Sequence, residues 1–447
     1  MKQKDNIIYK VNDVPPWGTM LMLSVQQMML MFTAATLPAM LVREVGGDTE
    51  TASRLVAVTM VVAGVGSVIQ ALRGRWIGSG YLCPNVCGPS YLGVSLQAAW
   101  LGGFPLMQGM IIFAGVIEML LANIVRKIRF LFPPLIVGMV VMFVGINVIS
   151  VSVTSFFGQM YLGDSLRWQE VLIASVSLLT MVGCNLWGRG LLRMYCLLIG
   201  IAVGWLMAAA LLPDTMHEMS ALKMQPLFAF PFKNVHLMKI RFSWNLALPF
   251  FIIAVCGSLK SLGNLLAAQK ISEPERDEVH MPPIAKGLLA DGLTTAMAGL
   301  MGGMAVDTSA SNIGLAAATR AVSRWIAICA GVIFAVLGFF PKLSMAIALV
   351  PRPVVGASLI FAVSLMISAG LQEMLSEPLD QRKSFVLGLS FIFGLSTEFL
   401  PTLFAELPES LQPLFGSPLA TVTVFAVLLY QLFHINDYLS RGSTSSE

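Results

Sequence analysis

The stretch MAVDTSASNIGLAAATRAV, residues 304–322, starts and ends apolar, yet its first half carries Asp-Thr-Ser-Ala-Ser and only its second half suits a helix. A plain membrane helix needs about 20 apolar residues, since each adds about 1.5 Å across a hydrocarbon core of about 30 Å. Residues 304–322 are too short and too broken for that. A second stretch has the same design: YLCPNVCGPSYLGVSLQAAWL, residues 81–101, places Pro and Gly first and a helix-compatible run after them. Backbone without helical hydrogen bonds survives at membrane depth only where it is buried in protein or lines a cavity.

Working outward, apolar runs of membrane length lie at about 18–42, 53–72, 104–124, 134–154, 168–187 and 191–212. Six more lie at about 246–268, 285–304, 323–340, 354–371, 383–399 and 414–434. With the two broken stretches the chain has fourteen segments, and the broken ones are the third and the tenth. They occupy equivalent places in two halves of seven. Interrupted segments at corresponding places in two repeats point to a transporter binding site near the bilayer midplane. The other reading is a pair of re-entrant loops that only pack.

Bulk composition agrees with a membrane protein. The chain has 447 residues, 56% of them hydrophobic and 12% charged, with a mean hydropathy of +0.79. Soluble domains carry about 25% charged residues. The polar start MKQKDNIIYKVNDVPP lacks the pattern of a cleaved signal peptide, so the first span is expected to be retained. With both termini in the cytoplasm, 18 of the 28 lysines and arginines fall inside and nine outside, as the positive-inside rule asks. The inside set includes Arg126, Lys127 and Arg129. A net charge of +4 spread over short loops gives no nucleic-acid face. Six scattered cysteines and four loop or span-end histidines form no disulfide framework, metal set or catalytic cluster, and no nucleophile–base pair marks an enzyme. No cofactor is expected.

One residue stands out within the spans. In FFIIAVCGSLKSLGNLLAAQK, residues 250–270, Lys260 sits ten positions from Lys270, about 15 Å along a helix. A cation near the midplane costs about 2.5–3.5 kcal/mol on insertion scales. Three readings account for it: contact with a substrate, a structural ion pair with Asp307 or Asp291, or a depressed pKa that leaves it neutral.

The run KGLLADGLTTAMAGLMGGMAVDTSASNIGLAAATR, 286–320, resembles the segment 9–10 signature of nucleobase–ascorbate transporters, the uracil/xanthine permease-like group. YKVNDVPP at 9–16, SVQQMMLMF at 24–32, FPPLIVGMVVMFVGINVI at 132–149 and PKLSMAIALVPRPVVGAS at 341–358 agree in type and order. The resemblance implies an all-α integral membrane fold of fourteen segments in two inverted repeats of seven. Segments 3 and 10 would each be a short strand followed by a half-helix, with the positive helix ends aimed at the substrate. A core domain would comprise 17–124 and 246–340. A gate domain would comprise 125–212 and 341–436 and support a homodimer. The remaining pieces are a cytoplasmic tail at 1–16, an extracytoplasmic loop at 213–245 and a cytoplasmic tail at 437–447. The resemblance also implies an inner-membrane carrier of nucleobases or ascorbate, driven by protons or sodium ions.

Carried over residue by residue, the resemblance places Lys260 where relatives keep a glutamate that binds the nucleobase ring. Gly263 matches, and Asn264 replaces the usual Asp or His. Ser311 stands where a glutamine or glutamate is usual, while Asn312, Gly314, Thr319 and Arg320 fall on the signature. Tyr91 matches an aromatic that stacks on the ring, Gln26–Gln27 a Gln-His pair, and Asp291 the segment 9 aspartate. Ser90, Ser309, Ala310 and Gln27 complete the expected substrate set. Asp291 and Asp307 are expected to couple ions or to pair. For Asp291 the structural alternative is a tie from segment 9 to segment 10, for Tyr91 simple packing, and Gly314 is read as a point of close backbone approach.

Both groups that would grip a neutral nucleobase are thus gone, and one has become a cation. A glutamate accepts hydrogen bonds from ring N–H groups, whereas an ammonium only donates. The expectation is a secondary active transporter of a small planar anion, urate-like, xanthine-like or another organic anion, working by elevator-type alternating access. The alternatives are an inorganic anion exchanger or channel, a neutral nucleobase–proton symporter, and a membrane sensor without transport.

Overall fold

The computed structural model describes residues 7–122, 124, 133–146, 148–158, 167–212, 225–232, 240–275, 279–400 and 418–434. The tail at 437–447, most of the loop at 213–245 and the basic cluster at Arg126, Lys127 and Arg129 lie outside them. The chain is helical almost throughout. Helices α1 (Trp17–Ala34) and α2 (Thr36–Glu44) form one bent span, followed by α3 (Thr49–Ala71). Strand β1 (Asn85–Cys87) and a single 3-10 turn lead into α4 (Leu92–Leu121). Then come α5 (Pro134–Ile146), α6 (Ile149–Phe156), α7 (Trp168–Leu186) and α8 (Cys196–Leu211). The second half holds α9 (Ala247–Ser272), α10 (Met281–Met301), strand β2 (Val306–Thr308) and α11 (Ala310–Thr319). It closes with α12 (Arg324–Leu337), α13 (Pro341–Ala348), α14 (Arg352–Met374), α15 (Gln381–Phe399) and α16 (Pro418–Phe433).

Local chemistry sets the ends of these helices. Asp48 caps α3 by accepting from the Thr51 amide at 3.2 Å. Proline opens α10, α13 and α14, where no intrahelical N–H is needed. Inside α4 the backbone leaves helical geometry at Gly102 and Gly103, and Gly103 has a φ of 71° that a side chain would strain. That break divides α4 where the apolar runs at 81–101 and 104–124 meet.

Among the described residues, seven helical stretches are long and apolar enough to cross a membrane, and eight if α12 and α13, bent by 84°, are one span. Helices α8 and α16 are shorter and apolar. The chain is therefore a multi-pass membrane protein by length and composition.

Two packing groups emerge. Helices α1–α4 pack with α9–α13 and both strands, while α5–α8 pack with α14–α16. Helix α13 lies on α2 and α3, so the piece just after residue 341, expected in the second group, sits with the first. Helix α9 touches α5 and α16, which puts it at the border between the groups. A polar clasp also crosses that border: Arg352 meets Glu44 at 3.1 Å and Ser155 donates to the same carboxylate at 2.8 Å, while beside it the Arg43 guanidinium donates to the carbonyls of Ala348 at the end of α13 and of Val350.

Small residues let these helices approach closely, as membrane helices do in the absence of a hydrophobic drive. A Cβ on Gly64 of α3 would stand 2.5 Å from the Gly331 carbonyl oxygen of α12, and one on Gly331 would stand 2.6 Å from the Gly64 carbonyl. Overpacking costs about 1–3 kcal/mol in a close-packed interior. Gly331→Val is accordingly expected to lower the melting temperature of the detergent-purified protein by several degrees. An unchanged melting curve would show that α3 and α12 are held together elsewhere.

Candidate functional site

The two broken stretches meet in the middle of the first packing group. Strands β1 and β2 pair antiparallel, with Asn85 opposite Thr308, Val86 opposite Asp307 and Cys87 opposite Val306. The Ser309 amide adds a bond to the Pro84 carbonyl at 3.0 Å, and the Gly88 amide one to Ala305 at 2.9 Å. Among the described residues these short strands have no other partner strand. Their residues are buried, so each satisfies the backbone of the other at a depth where water is scarce. Each strand runs directly into a helix start, so two helix N-termini begin beside one strand pair.

Lys260 of α9 reaches this pair. Its Nζ donates to Asp307 Oδ2 at 2.7 Å, and the two side chains differ sharply in access, 30% exposed for Lys260 and 1% for Asp307. The other carboxylate oxygen of Asp307, Oδ1, has no partner among the described residues. Of the three readings of Lys260, the pair with Asp307 is thus present, and it leaves the ammonium partly open.

Around it, α9 and α11 each present one open face. Lys260, Gly263, Asn264 and Ala267 follow the i, i+3, i+4, i+7 spacing of a single stripe, and the exposed residues Ala310, Ser311, Gly314 and Ala317 lie at i, i+1, i+4 and i+7. Added Cβ atoms on Gly263 or Gly314 would meet nothing within 4 Å. Gly314 is therefore no point of close backbone approach; it faces open space. The two helices touch, and their open faces of small residues flank the partly exposed Lys260 side chain.

Next to Lys260 lies a chain of hydrogen bonds. Asn264 Nδ2 donates to the Thr308 carbonyl and to Thr308 Oγ1, each at 3.0 Å. Thr308 Oγ1 donates to Ser261 Oγ at 2.9 Å, and Ser261 Oγ donates to Asp291 Oδ2. Asp291 Oδ1 accepts from Asn85 Nδ2 at 2.9 Å. Asp291 thus ties α10 to β1 and α9 directly, and reaches β2 through Ser261 and through Asn85 of the paired strand. It is no direct tie from segment 9 to segment 10.

Several expected substrate contacts are instead buried. Asn312 Nδ2 donates to Gln27 Oε1 at 2.7 Å and to the Gln27 carbonyl at 2.8 Å, so these two amides lock α1 to α11. Ser309 caps α11 and donates to Asn312 Oδ1 at 2.6 Å. The Tyr91 ring is fully buried, and its hydroxyl donates to Glu118 Oε1. In this conformation Tyr91 packs inside the protein and faces no ligand space. Ser90 is half-buried, while Ala310 and Ser311 are open. Thr319 bonds back to the Leu315 carbonyl at 2.8 Å, and Arg320, with a φ of 56°, offers its carbonyl to the Ile8 amide at 2.9 Å.

Glu118 was not among the expected site residues. It is 2% exposed, contacts the Gly257 and Gly292 positions of α9 and α10, and keeps Oε2 without a partner among the described residues. The signal was present in the sequence, since an acid inside the run 104–124 is expensive there.

A partly exposed charge pair at two broken segments, inside a bundle of apolar spans, is the organisation of a membrane transporter. Residues 18–403 match the family model Xan_ur_permease, described as the permease family, and the chain belongs to that family. It is similar to the xanthine permease XanP of Escherichia coli, 26% identical over 96% of this chain and 95% of that protein. The uric acid permease PucJ of Bacillus subtilis is 29% identical over 93% of this chain and 92% of its own length. A putative purine permease of Clostridium perfringens is 24% identical over 99% and 95%. Among solved structures, the murine Solute Carrier 26 family member A9 anion transporter superposes with a TM-score of 0.59 at 14% identity, covering 96% of this chain and 70% of that one. The transmembrane domain of a cyanobacterial bicarbonate transporter gives 0.51 at 11%, covering 94% and 98%. The chain is a multi-pass membrane transporter and not an enzyme.

Proposed function

We propose that this chain is a secondary active transporter that moves a small planar anion of the urate or xanthine type across the cytoplasmic membrane. The observation that carries the reading is the Lys260 side chain, 30% exposed on the helix that also bears the half-buried Asn264. An ammonium and a helix N-terminus both favour negative charge, and an ammonium has donors but no acceptor for a ligand. Relatives named for xanthine and uric acid supply the size and shape of the ligand class.

The reading includes the finer architecture. Fourteen segments form two inverted repeats of seven, with β1 plus the first part of α4 as segment 3 and β2 plus α11 as segment 10. The first packing group is the moving core and the second the gate, which holds a homodimer, and both termini face the cytoplasm. An elevator motion of the core must break the clasp of Glu44, Arg352 and Ser155, which is small enough to release. Uptake by proteoliposomes of radiolabelled urate, xanthine, uracil, adenine, chloride and sulfate tests the substrate. Uptake of urate or xanthine in preference to the others is expected. Transport of uracil or adenine without any anion would overturn the reading, and chloride or sulfate flux alone would replace it with inorganic anion exchange.

A further inference from the structure

The clasp between the two packing groups has a cavity beside it. Arg43 near the end of α2, Gly46 and Gly47 of the following turn, and Arg352 at the start of α14 line it, and it encloses about 210 Å³. A water molecule takes about 30 Å³, so the space admits a small oxyanion. Gly46, with a φ of 77°, is exposed and sets the cavity at the protein surface. Two guanidinium side chains from opposite halves of the chain thus border one space. Like charges brought together repel, and an anion between them relieves that repulsion.

Both arginines also hold structure. The Arg43 guanidinium donates to the carbonyls of Ala348 and Val350, and Arg352 Nη2 donates to Glu44 Oε1 at 3.1 Å. Arg352 is not used up by that bond. Its Nε is buried and has no hydrogen-bond partner among the described residues, and an orphaned donor on a charged group is costly. Three acids lie nearby, and each is engaged. Glu44 accepts from Arg352 and Ser155, Glu170 pairs with Arg167 at 3.9 Å, and Asp48 caps the first turn of α3.

We propose that this cavity is an oxyanion site, distinct from the Lys260 region, whose ligand competes with Glu44 for Arg352. A phosphate group suits it, because a guanidinium binds oxyanions through two parallel N–H donors and the glycines put no side chain in the way. Glu44 belongs to the first packing group and Arg352 to the second. An anion on Arg352 takes over the charge that Glu44 supplies, and Ser155 continues to donate to the released carboxylate. The ligand therefore opens the clasp without any group changing chemically. Free inorganic phosphate and the head group of an anionic lipid offer the same chemistry. The site itself is independent of what the protein carries; its bearing on core motion rests on the transporter reading above.

The test is equilibrium binding of radiolabelled inorganic phosphate to the full chain in lipid-free detergent. One phosphate per chain is expected, half-saturated below about 1 mM, displaced by sulfate and not by chloride at equal ionic strength. Glu44→Gln removes the competitor and keeps both arginines, so it should bind phosphate at least about tenfold more tightly. The double variant Glu44→Gln with Arg352→Gln leaves neither member of the pair charged. It should keep the wild-type melting temperature and bind no phosphate. Absence of binding in E44Q, or equal binding by the double variant, would overturn the site. Equal affinity of E44Q and wild type would overturn the competition. If the double variant does not fold, the comparison of E44Q with wild type decides alone. Loss of phosphate binding in Lys260→Gln with Asp307→Asn would move the ligand to Lys260 and also overturn the proposal. In phosphatidylcholine nanodiscs, displacement of phosphate by added phosphatidylglycerol would identify the lipid head group as the resident ligand, and persistence would identify the free anion; both support the site. Failure here leaves the transport reading standing, because urate uptake tests that separately.

Discussion

Lys260→Glu is expected to abolish urate and xanthine uptake, with a loss of at least about a hundredfold. The substitution sets a second carboxylate beside Asp307, where the native Nζ lies 2.7 Å from Oδ2. It removes the cation that meets the anion and leaves a sealed acid without its partner. Breaking a buried pair from one side costs about 3–5 kcal/mol, and each 1.4 kcal/mol is about tenfold. Lys260→Gln should also lose uptake, because Asp307 is again left without a counter-charge. The double variant Lys260→Gln with Asp307→Asn removes both charges and should recover the melting temperature without recovering transport. That separation tells a lost site from a lost fold. Full urate uptake by K260E would remove Lys260 from the mechanism.

Asp291→Leu should be the most damaging substitution for stability in the site. Asp291 is 2% exposed and accepts from Asn85 and Ser261, which hold β1 and α9 against α10. Leucine accepts nothing, and each orphaned buried donor costs about 1–3 kcal/mol. The expected outcome is loss of a monodisperse peak on size exclusion, or a melting temperature lower by ten degrees or more. Asp291→Asn keeps one acceptor and should fall between. If folded D291N still takes up urate, Asp291 serves only to hold the site together. Lost uptake with normal folding would give it a part in transport itself.

Much of this was legible before any coordinates. The interruptions at 81–101 and 304–322 and the cost of Lys260 at its depth follow from composition and spacing within a few residues. Those are local effects, set by the number of apolar side chains along one segment. Tyr91 and Glu118 are 27 residues apart, and Glu44 and Arg352 are 308 apart. No spacing rule joins such pairs, because a helix periodicity orders residues only along one element. Gln27 and Asn312 look like ligand contacts by position in the signature, yet they spend their amides on each other. A list of polar residues does not reveal which of them are already satisfied.

By itself the sequence determined that the chain is a membrane protein of many spans, which two spans are broken, and where in a span the cation lies. It left open whether Lys260 meets Asp307, Asp291 or a ligand. Only the tertiary structure chose, by pairing Val86 with Asp307 in the strand register and turning Lys260 of α9 toward that acid. The reason is physical: hydropathy is a sum over neighbours in the chain, whereas the fate of a buried charge depends on which atoms come within about 4 Å of it from other segments.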